Sequence, residues 1–180
     1  MALVVLIGGA RSGKSQLAVR LASARREPVV FIATAEARDA EMAERIARHQ
    51  TTRPPEWTTV EEPLRLRDAL DGAPGDVSVI VDCLSLWVAN LLERSTPQEV
   101  GREAVVAADV AARRRGLTIA VSNEVGLGVV PATPLGRTYR DVLGSVNGVW
   151  AERAAQAVFV VAGQVQRLER PESFLDQLDA

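Results

Sequence analysis

Apolar residues come in two rhythms along this chain, and the rhythms alternate. Ala2–Ile7 (ALVVLI), Val29–Ala33 (VVFIA), Val77–Asp82 (VSVIVD), Leu117–Ser122 (LTIAVS) and Val158–Ala162 (VFVVA) are strand-length runs with little polar phase. Such runs are expected of strands covered on both faces of a parallel sheet. Between them lie stretches of helical spacing. The first covers Lys14 to about Arg25, with Leu17 and Leu21 predicted on one face beside Ala18 and Ala22. Asp39 is placed to cap a helix to about Gln50, in which Met42, Ile46 and His49 share a face. A third runs from Leu84 to about Leu92. Thr96-Pro97-Gln98-Glu99 combines a capping box with proline at the first helical position and predicts a long helix to about Arg115. Thr133-Pro134 opens another to about Ala155, with Gly144 and Gly148 expected to weaken it.

Thr51–Gly75, with Pro54, Pro55, Pro63 and Pro74, is the least regular stretch and leaves room for a short helix over Leu64–Leu70. The tail Gly163–Ala180 carries no assignable pattern. Strands alternating with helices predict one α/β domain over residues 1–180, its sheet mostly parallel with helices on both faces.

Composition narrows the chemistry. A net charge of −2 gives no electrostatic reason for a nucleic-acid partner. Cys83 is the single cysteine, so neither an intramolecular disulfide nor a multi-thiolate zinc site is available. The run Ala2–Ile7 lacks a basic leader and enters Gly8-Gly9 directly, which predicts no secretion signal, no membrane span and a cytoplasmic location. Of 21 basic residues, Lys14 is the sole lysine. A sequence that takes arginine everywhere else points to a position at Lys14 that needs a compact ammonium.

That lysine closes a motif. Gly8-Gly9-Ala10-Arg11-Ser12-Gly13-Lys14-Ser15 matches G-x-x-x-x-G-K-[ST] between a buried strand and an amphipathic helix, the context of a phosphate loop, and makes the predicted fold P-loop NTPase-like. Inward-turned amides and the helix N-terminus cradle phosphates in such loops. Lys14 is expected at the β- and γ-phosphates, and Ser15 at Mg²⁺. Asp82, at a strand end, is either the second acid organising that metal or a cap for the next helix. Arg11 either contacts phosphate or is solvated.

A guanine-reading N-K-x-D loop is impossible without a second lysine, and no transporter signature or spare mechanical domain is present. A compact kinase or nucleotidyltransferase remains. His49, the sole imidazole, lies near a helix C-terminus with Arg48 and Arg53 close in sequence. It is either a nucleophile at phosphorus or a histidine favoured there by the helix dipole. Trp57, Trp87 and Trp150 read as core anchors. Arg113-Arg114-Arg115 reads as a solvated helix end. Asn123-Glu124 lies beyond a strand's carboxyl end, where ligands collect, or serves a turn.

The phosphate loop, Ile32-Ala33-Thr34-Ala35, Glu41-Met42 with Arg45-Ile46 and His49, Trp57–Pro63, Asp82–Trp87 with Asn90-Leu91-Leu92, Ser122–Gly126, and Arg137 with Tyr139-Arg140-Asp141 together resemble one family over about residues 2–163. It is the bifunctional adenosylcobinamide kinase/adenosylcobinamide-phosphate guanylyltransferase family of cobalamin biosynthesis. The resemblance implies phosphorylation of adenosylcobinamide by ATP or GTP. Transfer of GMP from GTP then proceeds through a guanylylated histidine, matched here by His49. It also implies nucleotide contacts from Gly8, Gly9, Ala10, Arg11, Ser12, Gly13, Lys14, Ser15, Ala33, Thr34, Ala35, Gln50, Thr51, Thr52, Arg53, Glu61 and Asp82, and a homotrimer. On the residues alone, Glu61 is a ribose or guanine contact or a solvated side chain. A single-activity P-loop kinase and a non-catalytic GTP-binding regulator are the alternatives.

Overall fold

The computed structural model describes residues 2–51 and 53–178; Thr52 and the side chain of His49 lie outside the described residues. In chain order the elements are β1 (Ala2–Gly8), α1 (Lys14–Ala24), β2 (Val29–Ala33), α2 (Ala40–Thr51), β3 (Thr58–Glu61), α3 (Leu66–Gly72) and β4 (Ser78–Asp82). Next come α4 (Leu84–Leu92), α5 (Pro97–Arg113), β5 (Leu117–Asn123), α6 (Pro134–Arg153), β6 (Gln156–Val161), β7 (Gln164–Leu168) and α7 (Pro171–Leu178).

One sheet holds all seven strands in the order β3-β2-β4-β5-β1-β6-β7, parallel except for the β6–β7 pair. The apolar runs alternate faces, as two-sided burial requires. Leu3, Val5 and Ile7 join one cluster with α3, α4, α5 and α6, while Leu6, Phe31, Ile80 and Ile119 join the other with Ala18 and Ala22 of α1. The parallel order brings Gly8, Ala33, Glu61, Asp82 and Asn123, the last residues of five strands, to one edge. Strand β5 separates β1 from β4, so the chain leaving Asn123 emerges between the phosphate loop and Asp82. No described helix is long and apolar enough to cross a membrane.

Several expectations change. The buried line of α1 is Lys14, Ala18 and Ala22, whereas Leu21 is exposed, because alanine lets the helix approach the sheet more closely than leucine would. α6 runs unbroken through Gly144 and Gly148, which lie on its exposed side while Leu143, Val146, Asn147 and Trp150 bury the other. Packing outweighs the glycine penalty there.

Arg114 is not solvated. It is 7% exposed and donates to the carbonyls of Leu70, Ala73, Pro74 and Val77, tying the end of α5 to the end of α3. Burial lowers its pKa, opposed by Asp71 and Asp76. Trp87 and Trp150 are core residues, and Trp57 packs half-buried against the α1-side cluster.

Strands β3 and β7 and helix α7 lie where no element was assigned. β3 is an edge strand with mostly exposed side chains, held through backbone pairing with β2. β6 and β7 turn through Ala162-Gly163, both at positive φ (51° and 75°), the geometry of a two-residue hairpin. Ala162 therefore belongs to the turn rather than to the strand predicted to include it.

Candidate active site

The loop between β1 and α1 is shaped by close approaches. A Cβ on Gly8 would lie 2.2 Å from the Val160 carbonyl oxygen, so only glycine lets β1 end beside β6. Gly13 caps α1 at φ 98°, a left-handed conformation that glycine adopts without strain. The β6–β7 turn braces the loop from outside, where the Gly163 amide donates to the Ser12 carbonyl at 2.9 Å.

Lys14 is 6% exposed. Its Nζ donates to the carbonyls of Gly8 (2.8 Å) and Gly9 (2.6 Å) and reaches Ser12 Oγ at 3.3 Å. An ammonium has three protons to give, and here three loop oxygens surround it. A planar guanidinium has neither the size nor the donor directions for this arrangement, which accounts for the survival of one lysine.

Ser15, the next residue, donates from Oγ to Asp82 Oδ1 at 3.3 Å. The N-cap of α4 is Cys83, and the carboxylate of Asp82, one residue earlier, meets the phosphate loop at Ser15. The Asp82–Cys83 peptide is cis. Thr34, just past the end of β2, clasps it, its Oγ1 donating to Cys83 O (2.7 Å) and accepting from Cys83 N (2.8 Å). Burial pushes the Cys83 thiol up to about 11, with Asp82 adding to the shift.

The segment after Ala33 is latched to α4. Asn90 donates to Thr34 O (2.8 Å) and Pro63 O (3.2 Å) and accepts from Arg38. Arg38 also pairs with Glu36 and Glu93, which together raise its pKa. Asp39 Oδ1 then accepts from the Met42 amide at 2.7 Å, starting α2, whose backbone carries His49.

Near the end of α2, Gln50 donates to Glu61 Oε1 (3.3 Å) and Thr51 Oγ1 donates to the Arg48 carbonyl. The Arg53 guanidinium lies 3.7 Å from the centroid of the Phe31 ring and donates to Thr59 Oγ1 at 3.5 Å. Burial lowers the Arg53 pKa against the opposing pull of Asp82 and Glu61. Its buried Nε has no hydrogen-bond partner among the described residues. A cation thus sits over an aromatic face, under the field of the acids ending β3 and β4.

Every described residue of the expected nucleotide set lies at this edge of the sheet or in a segment joined to it. Gly8, Ser12, Lys14 and Ser15 are built into the loop. Gly9 has open space where its side chain would project, and Ala10 and Arg11 are exposed, Arg11 at a left-handed φ of 57°. Ala33 lies between Asp82 and Glu61 in the register of three strands. Ala35 comes next to Thr34 in the latched segment. Thr52 lies outside the described residues. The contacts of Thr34, Asn90 and Phe31 were not foreseen. The legible signals were an asparagine inside the largely apolar LSLWVANLL and an aromatic in a buried strand.

Residues 4–168 match the model of a family described as cobinamide kinase / cobinamide phosphate guanyltransferase. The bifunctional adenosylcobalamin biosynthesis protein CobP of Pseudomonas aeruginosa is 46% identical over 88% of this chain and 92% of its own. The corresponding CobU of Escherichia coli is 36% identical over 89% and 96%. Among solved structures, a Pyrococcus horikoshii OT3 protein superposes with a TM-score of 0.57 at 8% identity, covering 95% of this chain and 88% of that one. The flagellar accessory protein FlaH of Methanocaldococcus jannaschii gives 0.50 at 16%, covering 93% and 76%. These two likenesses concern the fold.

Proposed function

The chain belongs to the cobinamide kinase / cobinamide phosphate guanyltransferase family, and from that premise we propose a division of two reactions among its residues. The phosphate loop serves both. First, the aminopropanol hydroxyl of adenosylcobinamide attacks the γ-phosphorus of ATP or GTP, the β–γ bridging bond breaks, and the nucleoside diphosphate leaves. Second, GMP passes from GTP to the new phosphate, giving adenosylcobinamide-GDP and pyrophosphate.

The observation that carries this reading is the Lys14 ammonium, buried within a complete phosphate loop and one residue from the Ser15–Asp82 contact. The Lys14 bonds to Gly8 and Gly9 hold the ammonium at the loop's centre. On nucleotide entry it exchanges those carbonyls for phosphate oxygens, where it offsets charge in either transfer. The hydroxyl of Ser15 and carboxylate of Asp82 are hard oxygen donors that fit Mg²⁺, which takes one or two protein ligands and fills its remaining positions with phosphate and water. When bound it neutralises phosphate charge. Among the described residues no cluster of three acidic, histidine or cysteine side chains competes for a metal.

His49 is assigned the guanylyl transfer. An unprotonated ring nitrogen attacks the α-phosphorus, the bond to the β-phosphate bridging oxygen breaks, and pyrophosphate departs with the electron pair. The other ring nitrogen sheds its proton to water, leaving a neutral ring in an anionic phosphoramidate. An oxygen of the corrinoid phosphate then attacks the same phosphorus, the P–N bond breaks, and the imidazole regains its proton. Nearby arginines favour the neutral nucleophile, and the helix C-terminus favours the charged form. Arg53, close to His49 in sequence, is fixed on Phe31. Ala33, Thr34, Ala35, Gln50, Thr51, Thr52 and Glu61 complete the nucleotide contacts, and the enzyme works as a cytoplasmic homotrimer.

The test is incubation with GTP labelled at the α-phosphate. The expected result is acid-labile, alkali-stable label on the protein that is lost in His49→Ala, while phosphorylation of adenosylcobinamide persists. Equal loss of both reactions in His49→Ala contradicts the division.

A further inference from the structure

Glu124 comes directly after β5, the strand between the phosphate loop and Asp82. Its amide donates to the Gly8 carbonyl at 3.0 Å, and that same oxygen accepts from Lys14 Nζ at 2.8 Å. The backbone of Glu124 is therefore fixed one hydrogen bond from the oxygen that anchors the ammonium. The end of β5 is itself secured. Buried Asn147 accepts from Ser122 Oγ (2.6 Å) and donates to Asn123 O (3.0 Å).

Other carboxylates at this edge are committed. Asp82 accepts from Ser15, Glu61 from Gln50, and Glu36 pairs with Arg38 and Arg94. Asp39 caps α2, and Glu62 accepts from the amides of Leu64 and Arg65. Among the described residues Glu124 takes only the Gly126 amide, on Oε1. Among the described residues its other oxygen has no hydrogen bond. A Cβ at Gly126 would lie 2.9 Å from Oε1, the mobile end of the Glu124 side chain.

We propose that Glu124 is the catalytic base of the phosphorylation step. The acceptor is an alcohol, which must lose a proton as it bonds to phosphorus. The hydroxyl oxygen forms the new P–O bond, the β–γ bridging bond breaks towards the nucleoside diphosphate, and the hydroxyl proton passes to the Glu124 carboxylate and then to water. The guanylyl step needs no such base, because its acceptor is already an anionic phosphate. The proposal rests on the two-reaction reading above and adds an acceptor-side group to it.

Glu124→Gln keeps shape and removes basicity. It should lower kcat for phosphorylation by about a hundredfold or more. KM for the triphosphate, and the rate of guanylyl transfer to preformed adenosylcobinamide phosphate, should stay within about twofold, and Glu124→Asp should recover part of the loss. A Glu124→Gln enzyme within tenfold of wild type in phosphorylation, or one that loses both reactions equally, overturns the proposal while leaving the two-reaction reading in place. Wild-type enzyme that phosphorylates no adenosylcobinamide overturns both.

Discussion

Ser15 Oγ stands 3.3 Å from Asp82 Oδ1, a contact across 67 residues of sequence that joins the phosphate loop to the end of β4. In the proposed function these two hard oxygens, on elements held by the sheet, are the pair that holds Mg²⁺. Asp82→Asn should raise the Mg²⁺ concentration needed for half-maximal rate in both reactions by about tenfold, a loss near 1.4 kcal/mol of cation affinity. A magnesium titration of each half-reaction measures this, and an unchanged requirement would remove Asp82 from the site.

Lys14→Arg is expected to fail as fully as Lys14→Ala. The three oxygens around Nζ lie within 3.3 Å of one point, and a guanidinium spreads its donors over a larger plane. Steady-state assays of phosphorylation and guanylyl transfer should show both depressed by about a hundredfold or more in either variant. Substantial activity in Lys14→Arg would mean that charge alone matters at this position.

How far the chain was legible divides along range in sequence. The phosphate loop is one contiguous octapeptide between a buried strand and a helix, so its spacing disclosed its place in the fold. The capping box at Thr96 and the cap at Thr133 were readable for the same reason. β3 was not, because Thr58–Glu61 is a strand only by virtue of its pairing with β2. Arg114 looked solvated beside two other arginines until the end of α3 and the segment after it, some 40 residues away, supplied four carbonyls. The clasp of Thr34 on Cys83 and the bond from Asn90 to Thr34 likewise bridge 49 and 56 residues. Local composition names none of these partners, although the asparagine within largely apolar α4 marks one end of a contact.

Arg114→Ala leaves those carbonyls without their donor. The expected cost is about 3 kcal/mol or more, since several hydrogen bonds from a charged group are lost together. Arg114→Lys should recover little, because one ammonium cannot span four acceptors in the same directions. Urea unfolding of the three proteins measures the difference. A loss under 1 kcal/mol would show that water replaces the guanidinium freely.

The buried thiol gives an alkaline signature. Cys83 titrates near 9.0 when unfolded and is pushed up to about 11 in the fold, so between those values the folded chain binds the proton that the unfolded chain has lost. Stability is therefore full below about pH 9 and falls as pH rises towards 11, by roughly 2–3 kcal/mol. Tyr139, pushed up to about 12 by burial, continues the loss above pH 10. Unfolding at a series of pH values should show the decline, and Cys83→Ala should remove its first part. An equal slope in that variant would place the effect elsewhere.

Single-turnover transfer from isolated labelled enzyme tests the central claim most directly. Protein carrying labelled GMP, freed of GTP and mixed with adenosylcobinamide phosphate, should pass its label to adenosylcobinamide-GDP at a rate no slower than overall turnover. Label that stays on the protein while product forms from fresh GTP, or full product formation by His49→Ala, would contradict a route through the imidazole.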